Sequence, residues 1–305
     1  MARLSKAVEA HWSSTGMSDK SFGIFTYIFL GAIMMLVVYP LYYVVIASFS
    51  EPFDVFAGKT FFWVSRPTLE GYQRVLLEPS ILIGYRNTLL YTSVGTIFST
   101  ALVMMTAYPL SRKLPGKKGI MIFLVITMYF SGGLIPTYLV VQQAGLINNM
   151  WALFLPGGVS VFNTIIARNF FETSISRELY EAAEIDGSGE LMTFYRIALP
   201  LAKPIIAVMV VFAMVAYWND WFTALIYLPD RNKEPLQLVL RQILIRSQTA
   251  GSMLSGMGGG YADRQRITEL IKFSSIIVST IPMLVFYPFV QKYFERGIMA
   301  GAVKG

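Results

Sequence analysis

Little in this sequence is equipped for covalent chemistry. It contains no cysteine and a single histidine, His11, in a polar N-terminal stretch. Disulfides, thiol nucleophiles and thiolate metal sites are therefore excluded, and one imidazole does not make an ordinary zinc site. The run LPGKKG at 114–119 lacks the spacing and the Lys-Ser/Thr ending of a phosphate-binding loop, so nucleotide hydrolysis is not expected of this chain. No Ser/His/Asp set and no pair of carboxylates is placed for catalysis, and the expectation is a chain without catalytic residues, cofactor or metal of its own. Polar side chains concentrate instead at two places. YEAAEIDGSGELMTFYRIALPLAKP, residues 180–204, sets Glu181, Glu184, Asp186 and Glu190 among Gly187, Gly189, Pro200 and Pro204, between long apolar runs. YWNDW, residues 217–221, places Asp220 inside one such run, beside Trp218, Asn219 and Trp221.

The elements that must hold these residues read as membrane spans. Of 305 residues, 55% are hydrophobic and 14% charged, where a soluble domain carries about 25% charged residues. A helix needs roughly 20 apolar residues to cross a bilayer. No charge occurs between Lys20 and Glu51, which gives a first span with Pro40 near its far end; it is too long for a signal-peptide core and reads as retained. A second span runs from about Gly84 to Leu110. The uncharged stretch Gly119–Ala167 holds a third and a fourth, broken at QQAGLINNM (142–150) by the turn signals Gly145 and Asn148-Asn149. Pro204 to about Leu228 makes a fifth, interrupted by Asp220, and Phe273–Gln291 a sixth, which Pro282 and Pro288 should kink. The expected fold class is an all-α membrane protein of six transmembrane helices with both ends on one side.

Basic residues favour the cytoplasmic side. SRKLPGKKG (111–119) carries four and QQAGLINNM none, which places the first inside and the second outside; Lys292, Arg296 and Lys304 add to the inside. The fifth-to-sixth connection runs against the rule, with seven Lys/Arg and four acids on the outer side. The chain then divides into a cytoplasmic N-terminal tail (1–22), a six-helix domain (23–293) with a cytoplasmic loop (173–203) and an outer loop (229–272), and a cytoplasmic C-terminal tail (294–305). The net charge of +7 flanks the apolar spans without forming a basic face or recognition motif. Nucleic acid is thereby set aside, and the lipid bilayer is the partner that remains.

Within the central loop, Ser176 can cap a short helix with Glu178 in its first turn, where the helix dipole favours negative charge. Leu179, Ala182 and Ala183 recur at helical spacing and give a shallow apolar face that lets another surface approach closely. Gly187 suits a left-handed stop, and Pro204 the start of the next span. Such a helix either docks into a partner or only ties two spans together at the membrane surface.

The succession Glu181-Ala182-Ala183, Asp186-Gly187, Phe194, Ile197-x-Leu199-Pro200 and Pro204 resembles the EAA loop of ABC importer permeases, with Ser188 where alanine is common. YWNDW and the ending GIMAGAVKG extend the likeness over most of the chain to carbohydrate importers, near the shorter permease subunit of maltose-type systems and the subgroup serving complex oligosaccharides. The resemblance implies a type I ABC importer permease fold, with the loop as a coupling helix seated in a cleft of a cytoplasmic ATPase subunit. Glu181, Ala182, Ala183, Asp186, Gly187, Ile197, Leu199 and Pro200 are the implied ATPase-coupling residues. The implied partners are a second homologous permease, a homodimeric ATPase that carries the ATP and Mg, and an extracytoplasmic sugar-binding protein, all at the bacterial cytoplasmic membrane. The implied function is to form half of the translocation path for a carbohydrate, an oligosaccharide whose range includes acidic ones derived from alginate or pectin. The alternative is an ion-gradient-driven secondary transporter, which calls for inverted repeats and several midplane ionisable groups.

Trp218, Asn219 and Asp220 are candidates for the translocation path or its gate, because an ionisable group at membrane depth faces the bundle interior or an aqueous route. The competing reading is an interfacial cap with tryptophan anchors. Arg86 reads as a snorkelling interface charge. GSMLSGMGGGYADR makes the outer loop glycine-rich, and the basic Arg241, Arg246, Arg264 and Arg266 suit an acidic oligosaccharide or an acidic partner surface. The tail from Gly297 either inserts at the ATPase dimer interface, as the resemblance implies, or forms a free end.

Overall fold

The computed structural model describes residues 17–253 and 261–302. The chain forms two compact units, Met1–Gln73 with Ala262–Ile277, and Arg74–Tyr261 with Val278–Gly305. The described residues are mostly helical, and Ser50 and Pro67 form an isolated antiparallel bridge.

In the first unit, α1 (Met17–Ser48) starts inside the expected N-terminal tail. Nearly every side chain from Phe22 to Leu41 is exposed, the pattern of a helix that gives its whole apolar surface to lipid or another chain. Polar pairs fix the connection that follows. Asp54 accepts hydrogen bonds from Arg66 Nε (2.7 Å), Arg66 Nη2 (2.8 Å) and Ser65 Oγ (2.7 Å), and the Arg66 guanidinium holds its carboxyl well below the ordinary carboxylate range.

Length and composition single out fewer membrane-crossing helices than the expected six. Among the described residues three helical stretches are each long and apolar enough to cross a bilayer: Ser21–Ser48, Pro79–Ser111 and Glu269–Phe286. The second of these is α2 (Pro79–Ser111). The third expected span is two helices, α3 (Lys117–Tyr129) and α4 (Leu134–Gln143), bent by 113° where Gly133 takes a φ of 85°. The fourth is not one helix either. Trp151–Phe154 is separated from α5 (Val161–Thr173) by Pro156-Gly157-Gly158. The 13 residues of α5 rise only about 20 Å, short of the ~30 Å hydrocarbon core. Beyond it lies α6 (Arg177–Ile185). Glu190–Leu201 then meets α7 (Lys203–Trp218) at 81°. There Phe194–Ala198 winds as a π turn, and Pro200 and Pro204 withhold the N–H groups an unbroken helix would use. Counting each bent pair as one span raises the total to five.

The expected outer loop 229–272 is largely helical. After α8 (Phe222–Tyr227) it holds a 3-10 turn at Arg231–Lys233, α9 (Leu236–Met253) and the start of α10 (Tyr261–Ala302). Leu236, Leu238, Val239 and Leu240 are buried, which gives α9 an apolar anchor that the glycines downstream obscure in the sequence. Residues 254–260, the glycine-rich part, lie outside the described residues. α10 runs on through Pro282 and Pro288 to Ala302, so the C-terminal segment is helical through that residue. Residues 1–16, including His11, and 303–305 also lie outside the described residues.

The second unit is organised around α2. Its buried positions Asn87, Thr88, Tyr91, Thr92, Gly95, Thr96, Ser99, Thr100, Val103, Met104, Ala107 and Tyr108 recur every three or four residues. Small and hydroxylated side chains at such spacing let neighbouring helices approach closely, and α5, α7 and α9 pack against them. Asn87, unremarked in the sequence beside Arg86, is the main tie to the segment before α9. Its Nδ2 donates to Asn232 O (2.8 Å) and Glu234 O (3.0 Å). Tyr91 Oη donates to Lys233 O (2.9 Å), and Thr88 Oγ1 accepts from Leu236 N–H (2.8 Å). Arg86 is exposed and donates to Asn87 Oδ1 at 3.2 Å.

Gly95 marks the tightest of these contacts. A Cβ there would stand 2.9 Å from the Tyr217 ring and 3.0 Å from the Phe154 ring. Gly95→Val is therefore expected to lower the thermal unfolding midpoint in detergent, at an overpacking cost of about 1–3 kcal/mol. An unchanged midpoint would contradict this packing.

Candidate functional site

α6 is held at both ends by backbone geometry. Ser176 precedes it with extended dihedrals (φ −65°, ψ 142°), and Glu178 lies in the first turn, but the Ser176 side chain makes no capping hydrogen bond. The expected cap is thus conformational only. The C-terminal stop takes the expected form. Gly187 sits at φ 74°, its N–H donates to Glu184 O (3.1 Å), and Ser188 N–H donates to Ala183 O (2.9 Å). This pair of bonds closes a helix through a left-handed residue.

The short helix divides its residues sharply. Tyr180 and Ala183, one turn apart, are buried, while Glu181, Ala182, Asp186 and Gly187 are exposed. Ile185 is 86% exposed, a large apolar side chain left bare beside them. The expected apolar face of Leu179, Ala182 and Ala183 is therefore split, since Leu179 and Ala182 face out and only Ala183 faces in. Ile197 is half-buried in the π turn, Leu199 packs against the core and Pro200 is exposed. Glu181, Ala182, Asp186 and Gly187 thus share the exposed end of α6, apart from Leu199.

Inward, Tyr180 fixes the helix to the body of the unit. Its ring lies under the Arg112 guanidinium, 4.0 Å from the centroid, and 6.3 Å from the Tyr108 ring. Tyr108 packs in turn on Phe171 and Phe194, with centroids at 5.7 and 4.9 Å, and donates to Glu190 Oε2 at 2.8 Å. Burial pushes the Tyr180 phenol above its ordinary pKa, so the residue acts as a neutral ring. Tyr108, Phe171, Ile175, Tyr180, Phe194, Ala198 and Met209 belong to one apolar cluster that joins α6 to α2, α5 and α7. Nearby, Glu172 bridges Lys117 (2.6 Å) and Arg168 (2.6 Å). The sequence alone assigned no role to Tyr180, Arg112, Tyr108 or Glu190. The available signal was Tyr180, three residues before Ala183 on the same helix face.

The second candidate lies at the other end of α7. A cavity of about 560 Å³ is lined by Asn163, Phe212, Tyr217, Asn219, Asp220 and Phe222 among others, within the size range of small-molecule sites. Asp220 Oδ1 also accepts from Thr223 N–H at 3.1 Å, so the carboxylate both lines the cavity and steadies the first turn of α8. Trp218 turns the other way. It is buried, with its ring 6.5 Å from Tyr85, and borders a separate apolar cavity of about 240 Å³ with Met214, Met283 and Phe286. The expected group of three is therefore two residues on one cavity and one on another.

The basic side chains expected to serve an acidic ligand are partly engaged already. Arg241 stacks on the Trp221 ring at 3.6 Å. Arg266 bonds Glu51 and, at 2.7 Å, Glu70. The side chains of Arg246 and Arg264 lie outside the described residues.

Residues 80–300 match the profile of the family described as "Binding-protein-dependent transport system inner membrane component". The chain belongs to this family. The permease is 39% identical over 290 residues to the polygalacturonan/rhamnogalacturonan transport system permease protein YtcP of Bacillus subtilis (strain 168), a match covering 95% of this chain and 100% of that one. It is 37% identical over 298 residues to protein LplC of the same organism, covering 97% and 99%. Among solved structures, a bacterial ABC transporter involved in the import of the acidic polysaccharide alginate contains a chain that superposes with a TM-score of 0.80 at 31% identity, covering 92% of the permease and 99% of that chain. The all-α architecture is thus the type I ABC importer permease fold.

Proposed function

We propose that this permease imports an acidic oligosaccharide of the pectin or alginate type and receives its driving motion through α6. As a member of its family it is the membrane permease of a carbohydrate ABC importer. The substrate reading rests on two relatives that serve uronate polymers, YtcP and the alginate transporter chain. Its own Arg241 and Arg266 are occupied internally, so these two do not carry the substrate reading.

The coupling reading is carried by one observation: a helix that is bolted inward through Tyr180 while it presents Glu181, Ala182, Ile185 and Gly187 outward. A rigid helix with one bare face transmits displacement because packed interfaces adopt discrete arrangements. In this reading the bare face sits in a cleft of a homodimeric ATPase, which supplies ATP and Mg, on the cytoplasmic side of the inner membrane with both termini. A second homologous permease completes the path, and an extracytoplasmic sugar-binding protein delivers the cargo. Glu181 is the polar contact to the ATPase, and Asn219 and Asp220 line this chain's half of the path. Residues 1–22, 173–203, 229–272 and 294–305 are, respectively, inner tail, coupling loop, outer segment and inner tail.

The test is ATP hydrolysis by the reconstituted complex with its binding protein. Oligogalacturonate or oligoalginate should stimulate it and maltodextrin should not; the reverse preference would assign a neutral sugar. Asp220 is tested separately. Asp220→Asn keeps an oxygen that accepts from Thr223 but removes the charge. It should change uptake of the acidic sugar at unaltered thermal stability, whereas Asp220→Ala should also lose about 1 kcal/mol of capping. Unchanged uptake in both variants would leave Asp220 a helix cap and nothing more.

A further inference from the structure

The geometry points to an anionic phospholipid held beside the coupling helix, its headgroup on Lys113 and Arg112 and an acyl chain along Met105, Leu191 and Tyr195. A cavity of about 300 Å³ opens between the end of α2 and the Glu190–Ala198 segment. Its walls are mostly apolar, and Met105, Leu191 and Tyr195 remain 55%, 76% and 59% exposed at its mouth. Two cations, Arg112 and Lys113, join its wall at the C-terminal end of α2. Lys113 is exposed and forms no ion pair among the described residues. Arg112 Nε is buried without a hydrogen-bond partner, and Arg112 Nη2 reaches Glu190 Oε1 only at 3.5 Å. Glu190 is the sole carboxylate on the wall, and it already accepts from Tyr108 Oη at 2.8 Å.

These features select the ligand class. A sugar needs several polar partners along its length, and here the charged groups are Arg112, Lys113 and Glu190, on a wall otherwise formed by apolar and aromatic residues. A small soluble anion would leave the apolar wall uncovered. One charged end and one greasy length match a phospholipid, and the loop 111–119, with four basic residues and no acid, supplies the positive field that draws anionic headgroups to a membrane surface. Basic pockets beside membrane helices on the cytoplasmic side are a known form of such sites. The inference rests on the proposed orientation, with 111–119 at the inner surface. Arg112 is shared between this cavity and the Tyr180 ring, so an occupied site would stiffen the anchor of α6.

The test uses the assembled transporter, with partner permease and ATPase, in phosphatidylcholine nanodiscs. Each disc also carries a diazirine-tagged lipid, either phosphatidylglycerol or phosphatidylcholine with the same acyl chain. Photolabel should map to residues 105–114 and 190–195 and favour phosphatidylglycerol by about fivefold, the ~1 kcal/mol a lysine contributes near an anionic surface. Lys113→Gln should bring phosphatidylglycerol labelling down to the phosphatidylcholine level. Leu191→Asp should lower labelling by both lipids, and soluble glycerol phosphate should leave it unchanged.

Equal labelling by the two headgroups, indifference to Lys113→Gln, or competition by glycerol phosphate would each overturn the lipid site. So would absence of label from both segments, which would mean that another subunit covers the pocket. Orientation is checked independently. In this cysteine-free chain, Lys118→Cys should react with an impermeant maleimide only from the ATPase side. Reaction from the opposite side would sink the proposed orientation without bearing on the headgroup preference itself.

Discussion

Gly187→Val is expected to reduce substrate-stimulated ATP hydrolysis of the assembled transporter by at least about tenfold, equivalent to 1.4 kcal/mol, while the permease should still insert and be recovered in normal amount. The backbone at this position sets the effect. Gly187 sits at φ 74°, where a residue with a Cβ carries a penalty of about 1–2 kcal/mol and a β-branched one is a genuine outlier. No atom lies within 4 Å of a Cβ built at this position, so no steric clash inside the chain contributes. The strain relaxes only if the turn opens, which breaks the bonds from Gly187 N–H and Ser188 N–H to Glu184 O and Ala183 O. That redirects the exposed end of α6 at the surface proposed to meet the ATPase. Asparagine visits the left-handed region at little cost, so Gly187→Asn should keep most of the stimulated rate. If Val and Asn behave alike, the defect comes from bulk at the docking face instead of from the turn. If neither lowers the rate, α6 is not the coupling element.

The second expected result separates docking from transmission. Tyr180→Ala should leave the ATPase bound and able to hydrolyse ATP, yet lower transport by more than tenfold. The ring is 4% exposed, sits under Arg112, and joins the cluster that reaches α2 and α7. Removing a buried aromatic side chain costs about 3–5 kcal/mol where the site cannot collapse, and here the loss falls on the larger of the two buried side chains, Tyr180 and Ala183, of a nine-residue helix. Glu181, Ala182 and Ile185 remain on the opposite face to engage the partner. Tyr180→Phe is the informative control. The Tyr180 hydroxyl is buried and makes no hydrogen bond, and deleting an unpaired buried polar group is neutral or stabilising. The Phe variant should therefore transport at the wild-type rate. Loss of transport in Phe would reveal a hydroxyl partner in the assembled state, and retained transport in Ala would show that α6 moves without this anchor.

The division between what the sequence disclosed and what it concealed follows physical range. The Gly187 stop, the all-α class and the bare carboxylate at Glu181 are local consequences of glycine dihedrals, apolar run length and charge, and each is readable within about ten residues. The broken spans were not. Pro156-Gly157-Gly158 lies inside an uncharged stretch that hydropathy alone treats as continuous, because hydropathy records transfer into lipid and not backbone breakage. The helix at Leu236–Met253 was hidden by the opposite effect, since glycines after residue 250 coloured a segment whose first half packs on α2. Tyr180, Arg112 and Glu190 could not be joined by reading along the chain, because the contacts that unite them span about 70 to 80 positions. The triplet Trp218-Asn219-Asp220 divides between two cavities because the helix ends at Trp218, so Asn219 and Asp220 continue in a different direction.

α2 carries an attachment at each end. One end carries Tyr108, which receives α6, and the other carries Asn87, Thr88 and Tyr91, which hold the 232–236 segment. The helix is unbroken between them, and those 21 residues amount to about 30 Å of rise. The two attachments therefore sit at the tips of a single lever without a joint. A tilt of about 6° at the Tyr108 tip sweeps the Asn87 tip through about 3 Å, roughly the reach of one hydrogen bond. A stroke that small, begun where α6 meets Tyr108, is enough to make or break a carbonyl contact at the far end of the helix.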